Sequence, residues 1–171
     1  MRGLVFVAAL GGCLDNSNLP CGTSSPPSQA VPGLSVALST TACSFPTNTQ
    51  AQFNYTITVD SATTFNTGPH AACMPTTNDP RSFTTALVSG TGGQYCPTCD
   101  LGLCGQAPDQ SITLMPGPYA GTLNFPGRQW NGPSDTNAPI GGPLPAGNYT
   151  AKVKVELPAG TVEADLPITL L

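Results

Sequence analysis

The chain has 171 residues, with nine Asp and Glu against five Lys and Arg and a formal net charge of −4. Only 8% of its residues are charged, against about 25% in an ordinary soluble domain. That excludes the basic surface nucleic-acid binding requires and a charged disordered tail, while nineteen Gly and nineteen Pro make the chain turn-rich but not low in complexity.

Residues 1–13 read MRGLVFVAALGGC. Arg2 is a minimal basic region, residues 4–10 are an unbroken apolar run, and small residues follow, which is the layout of a secretory signal. The run is too short for a membrane span, which takes about 20 apolar residues. The end, Leu10-Gly11-Gly12-Cys13, resembles the bacterial lipobox. That resemblance implies cleavage before Cys13, a diacylglycerol on its thiol, and a membrane partner held through acyl chains. Asp15, two residues after Cys13, leans the sorting towards the outer membrane by resemblance to enterobacterial lipoproteins. The alternative is a buried first strand with a structural cysteine. Residues 14–33 hold four Pro and several Ser and Asn with no periodic apolar pattern. They read as a semi-extended tether.

From residue 34 the pattern is strands and turns. Residues 34–38 and 53–59 alternate apolar and polar, placing Phe53, Tyr55, Ile57 and Val59 on one face. Further strands are expected at 83–88, 111–115 and 119–125. Residues 149–157 alternate again, with Tyr149, Ala151, Val153, Val155 and Leu157 inward and Lys152, Lys154 and Glu156 outward. A turn at Pro158-Ala159-Gly160 leads into a last strand at 162–170, where Pro167 predicts an edge position or a bulge. No segment sustains a helical period. Seven short strands predict an all-β, antiparallel sandwich over residues 34–171.

Seven cysteines stand at 13, 21, 43, 73, 96, 99 and 104. If Cys13 is lipidated, Cys21, Cys43, Cys73, Cys96, Cys99 and Cys104 remain for three disulfides, with 15 connectivities open. Disulfides imply an oxidising compartment: periplasm, outer membrane or cell surface. In Cys96-Pro-Thr-Cys99, Asp100 stands where c-type haem needs His, which excludes haem. The spacing through Cys104, even with Cys73, fits no zinc ribbon. A thioredoxin-like redox pair should open a helix in a βαβ unit, and this motif lies among Gly-rich turns. Structural disulfides are therefore the expectation, with no metal and no cofactor. His70, Cys73 and Met74 are copper-friendly, but a blue-copper site needs two His and the chain has one. A Ser-His-Asp triad would have to use that same His70, and no G-x-S-x-G elbow accompanies it. Asp135 and Asn137 fall short of a calcium ligand set. The sequons at Asn54 and Asn148 are coincidental in a bacterial export context.

The C-terminal third carries an ordered series: Leu114-Met-Pro-Gly117, then Phe125-Pro-Gly-Arg-Gln-Trp130-Asn-Gly132, then Gly142-Pro-Leu-Pro145-Ala-Gly147-Asn-Tyr149-Thr150. It resembles the Ig-like domains of the intracellular proteinase inhibitor (BsuPI-type) family and of the flagellar hook-capping protein, over roughly residues 110–157. The resemblance implies an Ig-like sandwich in which Pro145 and Gly147 make a turn, Tyr149 anchors a strand, and Trp130 packs in a loop or on the sheet. The family pattern has no counterpart to the cysteine cluster, so residues 66–110 read as a bridged insertion. The functional expectation is a non-catalytic envelope lipoprotein that binds, adheres or assembles with a protein partner or neighbouring subunit. The alternatives are a proteinase inhibitor, which the resemblance implies without identifying a reactive loop, a filament subunit retaining its N-terminal segment, and a thiol–disulfide protein using Cys96 and Cys99.

Overall fold

A computed structural model of the chain describes residues 31–68, 77–99, 108–132 and 139–171. Twelve strands lie within them: β1 (Leu34–Ser39), β2 (Ser44–Phe45), β3 (Ala51–Val59), β4 (Thr63–Asn66), β5 (Thr84–Gly90), β6 (Gly93–Tyr95), β7 (Ser111–Leu114), β8 (Gly117–Phe125), β9 (Arg128–Trp130), β10 (Ile140–Pro143), β11 (Gly147–Leu157) and β12 (Gly160–Leu170). A single 3₁₀ turn, Pro80–Phe83, precedes β5.

The strands form a three-stranded sheet in the order β1–β3–β8, a five-stranded sheet β2–β12–β11–β5–β6, and two ribbons, β4–β7 and β9–β10. The alternation read from the sequence sets which side chains turn inward. Val36, Leu38, Phe53, Ile57, Leu123 and Phe125 come from the small sheet, and Ala86, Val88, Val153, Val155, Val162 and Leu166 from the large one; all are buried in one core. Burying a side chain of this size contributes about 1.5–3 kcal/mol over leaving it in water. Aromatic rings run through the core in sequence, Phe45 to Phe53 to Phe125 to Tyr95 to Trp130, with neighbouring centroids 5.7–6.3 Å apart. The β4–β7 ribbon packs onto the 3₁₀ turn, where Phe65 meets Phe83 edge-on at 5.5 Å.

The fold is all-β and its pairings are antiparallel except one. β2 lies parallel to the end of β12, through Ser44↔Thr169 and Phe45↔Leu170. The seven expected strands are present, and the five additional ones are two to four residues long. Residues 84–95, inside the stretch expected to be an insertion, supply β5 and β6, so this part is integral to the large sheet. The hairpin at Pro158-Ala159 pairs β11 with β12 over eleven positions without a bulge. Pro167 faces Thr150 in unbroken register, on a stretch of β12 that β2 leaves uncovered.

Candidate functional site

The two sheets present opposite kinds of surface. On the large sheet, Lys152, Lys154, Glu156, Glu163 and Asp165 point outward, because their neighbours at 151, 153, 155, 162, 164 and 166 are buried. Lys152 Nζ lies 3.3 Å from Glu163 Oε1 and 3.1 Å from Asp165 Oδ2. Burial pulls the Lys152 ammonium down, and hydrogen bonds and charge from Asp165 and Glu163 together outweigh it and leave its pKa raised. Asp165 Oδ1 is buried without a hydrogen-bond partner among the described residues.

The outer face of the small sheet carries no charge. β3 contributes Gln52, Asn54, Thr56 and Thr58, all between core residues. β1 adds Ser35, Ala37 and Ser39, and β8 adds Pro118, Ala120, Thr122 and Asn124. The register places them in rows: Ser35–Thr58–Pro118, Ala37–Thr56–Ala120 and Ser39–Asn54–Thr122, with Gln52 beside Asn124. Neighbours across a row are about 4.8 Å apart. Gln52 Nε2 donates to Asn124 Oδ1 and Thr122 Oγ1 to Asn54 Oδ1, both at 3.4 Å. The result is a neutral surface of hydroxyls, amides and small side chains, exposed or half-buried.

The β8 edge of this sheet is braced by the 3₁₀ turn. Asp79 caps it by accepting from the Arg81 backbone N–H at 2.9 Å, and its carboxylate also takes the Arg81 guanidinium. That hydrogen bond holds the Asp79 carboxyl below its usual range. Arg81 Nη1 donates to the Ala120 carbonyl of β8 at 3.1 Å, which occupies an acceptor on the sheet edge.

A second feature lies at the far edge of the large sheet. Cys96 and Cys99 are joined by a disulfide with a Cα–Cα distance of 5.3 Å. β6 ends at Tyr95, and Cys96-Pro97-Thr98-Cys99 forms a turn in which the Cys99 N–H donates to the Cys96 carbonyl at 3.3 Å. Pro97 at the second position presets this bend. Thr98 Oγ1 then accepts from the Ala86 N–H at 2.9 Å and donates to the Ala86 carbonyl at 3.2 Å. One hydroxyl thus satisfies both backbone groups of an edge residue where β6 no longer pairs with β5. Cys96 is fully buried and Cys99 exposed. The motif opens no helix; it follows an edge strand.

The other predicted residues fall as follows. Tyr149 is buried, and its hydroxyl donates to the Pro145 carbonyl at 2.9 Å across the turn before β11. Gly147 in that turn has φ +151°, and a Cβ there would meet Thr91 Oγ1 at 2.9 Å. Trp130 lies in β9, paired with Ile140 and edge-on to Tyr95 at 5.8 Å; its Nε1 is buried without a hydrogen-bond partner among the described residues. Cys43 is disulfide-bonded. Cys13, Cys21, His70, Cys73, Met74, Asp100, Cys104, Asp135 and Asn137, with the signal and residues 14–30 of the tether, lie outside the described residues. Among the described residues no group of three or more His, Cys, Asp or Glu is placed to hold a metal ion, and no helix is long and apolar enough to cross a membrane. Neither the neutral face nor the Thr98 clamp is marked by a motif in the sequence. The signal for the face was present, because the polar members of the alternation in β3 and β8 contain no charge.

No family model matches the chain, and no curated protein matches it. Solved structures similar to it include the β-glucosidase from Listeria innocua in complex with isofagomine, with a TM-score of 0.43 and 7% identity over 80% of this chain. The chain spans 16% of that protein's length.

Proposed function

We propose that the chain is a non-catalytic, exported envelope lipoprotein, anchored through Cys13, whose Ig-like sandwich binds an uncharged protein surface through the outer face of its small sheet. The observation that carries this is the segregation of charge. Five charged side chains stand on the outer face of the large sheet and none on that of the small one. Ordinary surfaces intersperse both signs for solubility, so a three-stranded face of Ser, Thr, Asn and Gln is fitted to a partner that brings no charge of its own. The signal layout, the Pro-rich tether and the disulfides support export. A tether between anchor and domain holds such a face away from the membrane.

Two measurements test the two halves of the proposal. Intact mass of the protein from its host should show loss of residues 1–12 and an added lipid mass on Cys13; an unprocessed N-terminus overturns the lipoprotein reading and favours a filament subunit. Thr56→Lys puts a charge at the centre of the face. It should leave Tm unchanged and abolish capture of the envelope partner that wild-type protein retains; undiminished capture overturns the assignment of the face.

A further inference from the structure

The Cys96–Cys99 turn supports an inference separate from the binding face. We propose that this disulfide is a thiol-exchange site, attacked at Cys99 Sγ, whose opening uncovers the Ala86 edge of the large sheet while the fold persists.

Three observations lead there. Cys99 is exposed and Cys96 fully buried, so the bridge offers an incoming thiolate its Cys99 side alone. The bridge closes a loop of four residues, and a bridge constrains the unfolded chain in proportion to the logarithm of its loop. Opening it therefore removes less of the fold's stability than opening a bridge across a long loop would. The bridge at Cys43 is different: with Cys96 and Cys99 paired to each other, the nearest remaining cysteine is Cys21, 22 residues away. Finally, the bridge ties the turn that lays Thr98 across Ala86. That hydroxyl receives the Ala86 N–H and donates to its carbonyl.

The step balances with a dithiol as reductant. One thiolate of the dithiol attacks Cys99 Sγ; a bond forms between them as the Sγ–Sγ bond breaks, and the electron pair leaves on Cys96 Sγ, which takes up a proton. The second thiol of the dithiol then attacks the first dithiol sulfur, releases Cys99 as a thiol and closes the reductant into its own disulfide. Two electrons and two protons pass to the protein. The turn then loses its covalent closure, and Thr98 no longer masks a backbone donor and acceptor on an edge strand, where unpaired groups invite a further strand.

The test uses the full oxidised chain. Stepped dithiothreitol followed by alkylation and peptide mass analysis should label Cys96 and Cys99 while Cys43 stays bridged, with the circular dichroism of the folded protein retained. At that step, deuterium exchange at the Ala86 amide should rise about tenfold or more, as expected when a local clamp opens. Glutathione, a single thiol, should leave its adduct on Cys99. Labelling of Cys43 at the same or lower dithiothreitol, an adduct on Cys96, or an Ala86 amide that stays protected after reduction overturns the proposal. Thr98→Val keeps both sulfurs and removes the clamp. It should speed Ala86 exchange in the oxidised protein to the reduced wild-type level; an unchanged rate means that Thr98 is not the coupling element.

Discussion

At the level of single residues, two tyrosines lie over two glycines on neighbouring strands. Tyr55 of β3 faces Gly121 of β8, and Tyr149 of β11 faces Gly90 of β5. A ring that covers a glycine in a strand replaces the contacts a side chain would have made. The two pairs differ in what a methyl group would strike. At Gly121 a Cβ would lie 2.2 Å from Tyr55 Cζ, at the outer end of a half-buried ring that can swing away. At Gly90 it would lie 2.4 Å from the Asn148 carbonyl oxygen and 2.8 Å from the Tyr149 Cα, both backbone within a central pairing. Overpacking costs about 1–3 kcal/mol, and the two sites should occupy the ends of that range. Gly121→Ala is expected to lower stability by about 1 kcal/mol and Gly90→Ala by about 3 kcal/mol, measured by urea unfolding. Equal losses would show that the Asn148 backbone yields as easily as a ring.

Among the elements, the 3₁₀ turn depends most directly on a titrating group. The Arg81 hydrogen bond holds the Asp79 carboxyl low in the folded chain. A carboxyl depressed by folding contributes stability above its unfolded value, near 4, and loses it as pH falls through the folded one. The cap should therefore hold at neutral pH and release in acid below about pH 4, with the amide signals of Arg81 and Ser82 moving together in NMR. Persistence of both signals through pH 2 would mean that the turn stands without its cap. The same scale shows how much of the fold is legible in sequence. β1, β3, β8, β11 and β12 follow from period-two alternation over six to eleven residues. β4, β6, β9 and β10 have three or four residues each, several of them Gly or Pro, too few to set a period. β2 has two residues, and it is a strand because the end of β12 arrives beside it. The Pro145–Tyr149 turn follows from local chemistry, since a Pro, a Gly and a Tyr at alternate positions of one five-residue stretch close on one another. The Cys96–Cys99 pairing does not follow, because connectivity is decided by which chains meet in space. The Thr98 clamp depends on β6 stopping one residue before Cys96, which no local pattern marks.

For the molecule as a whole, three tyrosines packed in or against the core and Lys152 set a direction for its pH response. Burial raises the Tyr55, Tyr95 and Tyr149 hydroxyls above the ordinary phenol value, and the Lys152 ammonium is raised by its two carboxylates against the pull of burial. Each of these groups keeps its proton longer folded than unfolded. Their joint contribution is full below about pH 10 and falls as pH climbs through the folded values. Thermal melts should therefore be flat from pH 7 to 9 and drop steeply above about pH 10, and Tyr149→Phe should soften that drop. A bare neutral face has a further consequence, in time. Encounter between charged patches is hastened by long-range attraction, up to 10–10³-fold. A surface of Ser, Thr and Asn rows has no such field, so a partner of the kind proposed for it would find it by unaided collision, at about 10⁵–10⁶ per molar per second. The rate should hold level from 50 to about 500 mM salt, a span over which the Debye length shrinks severalfold. How long a complex on this face survives would then be written almost wholly in how slowly it comes apart.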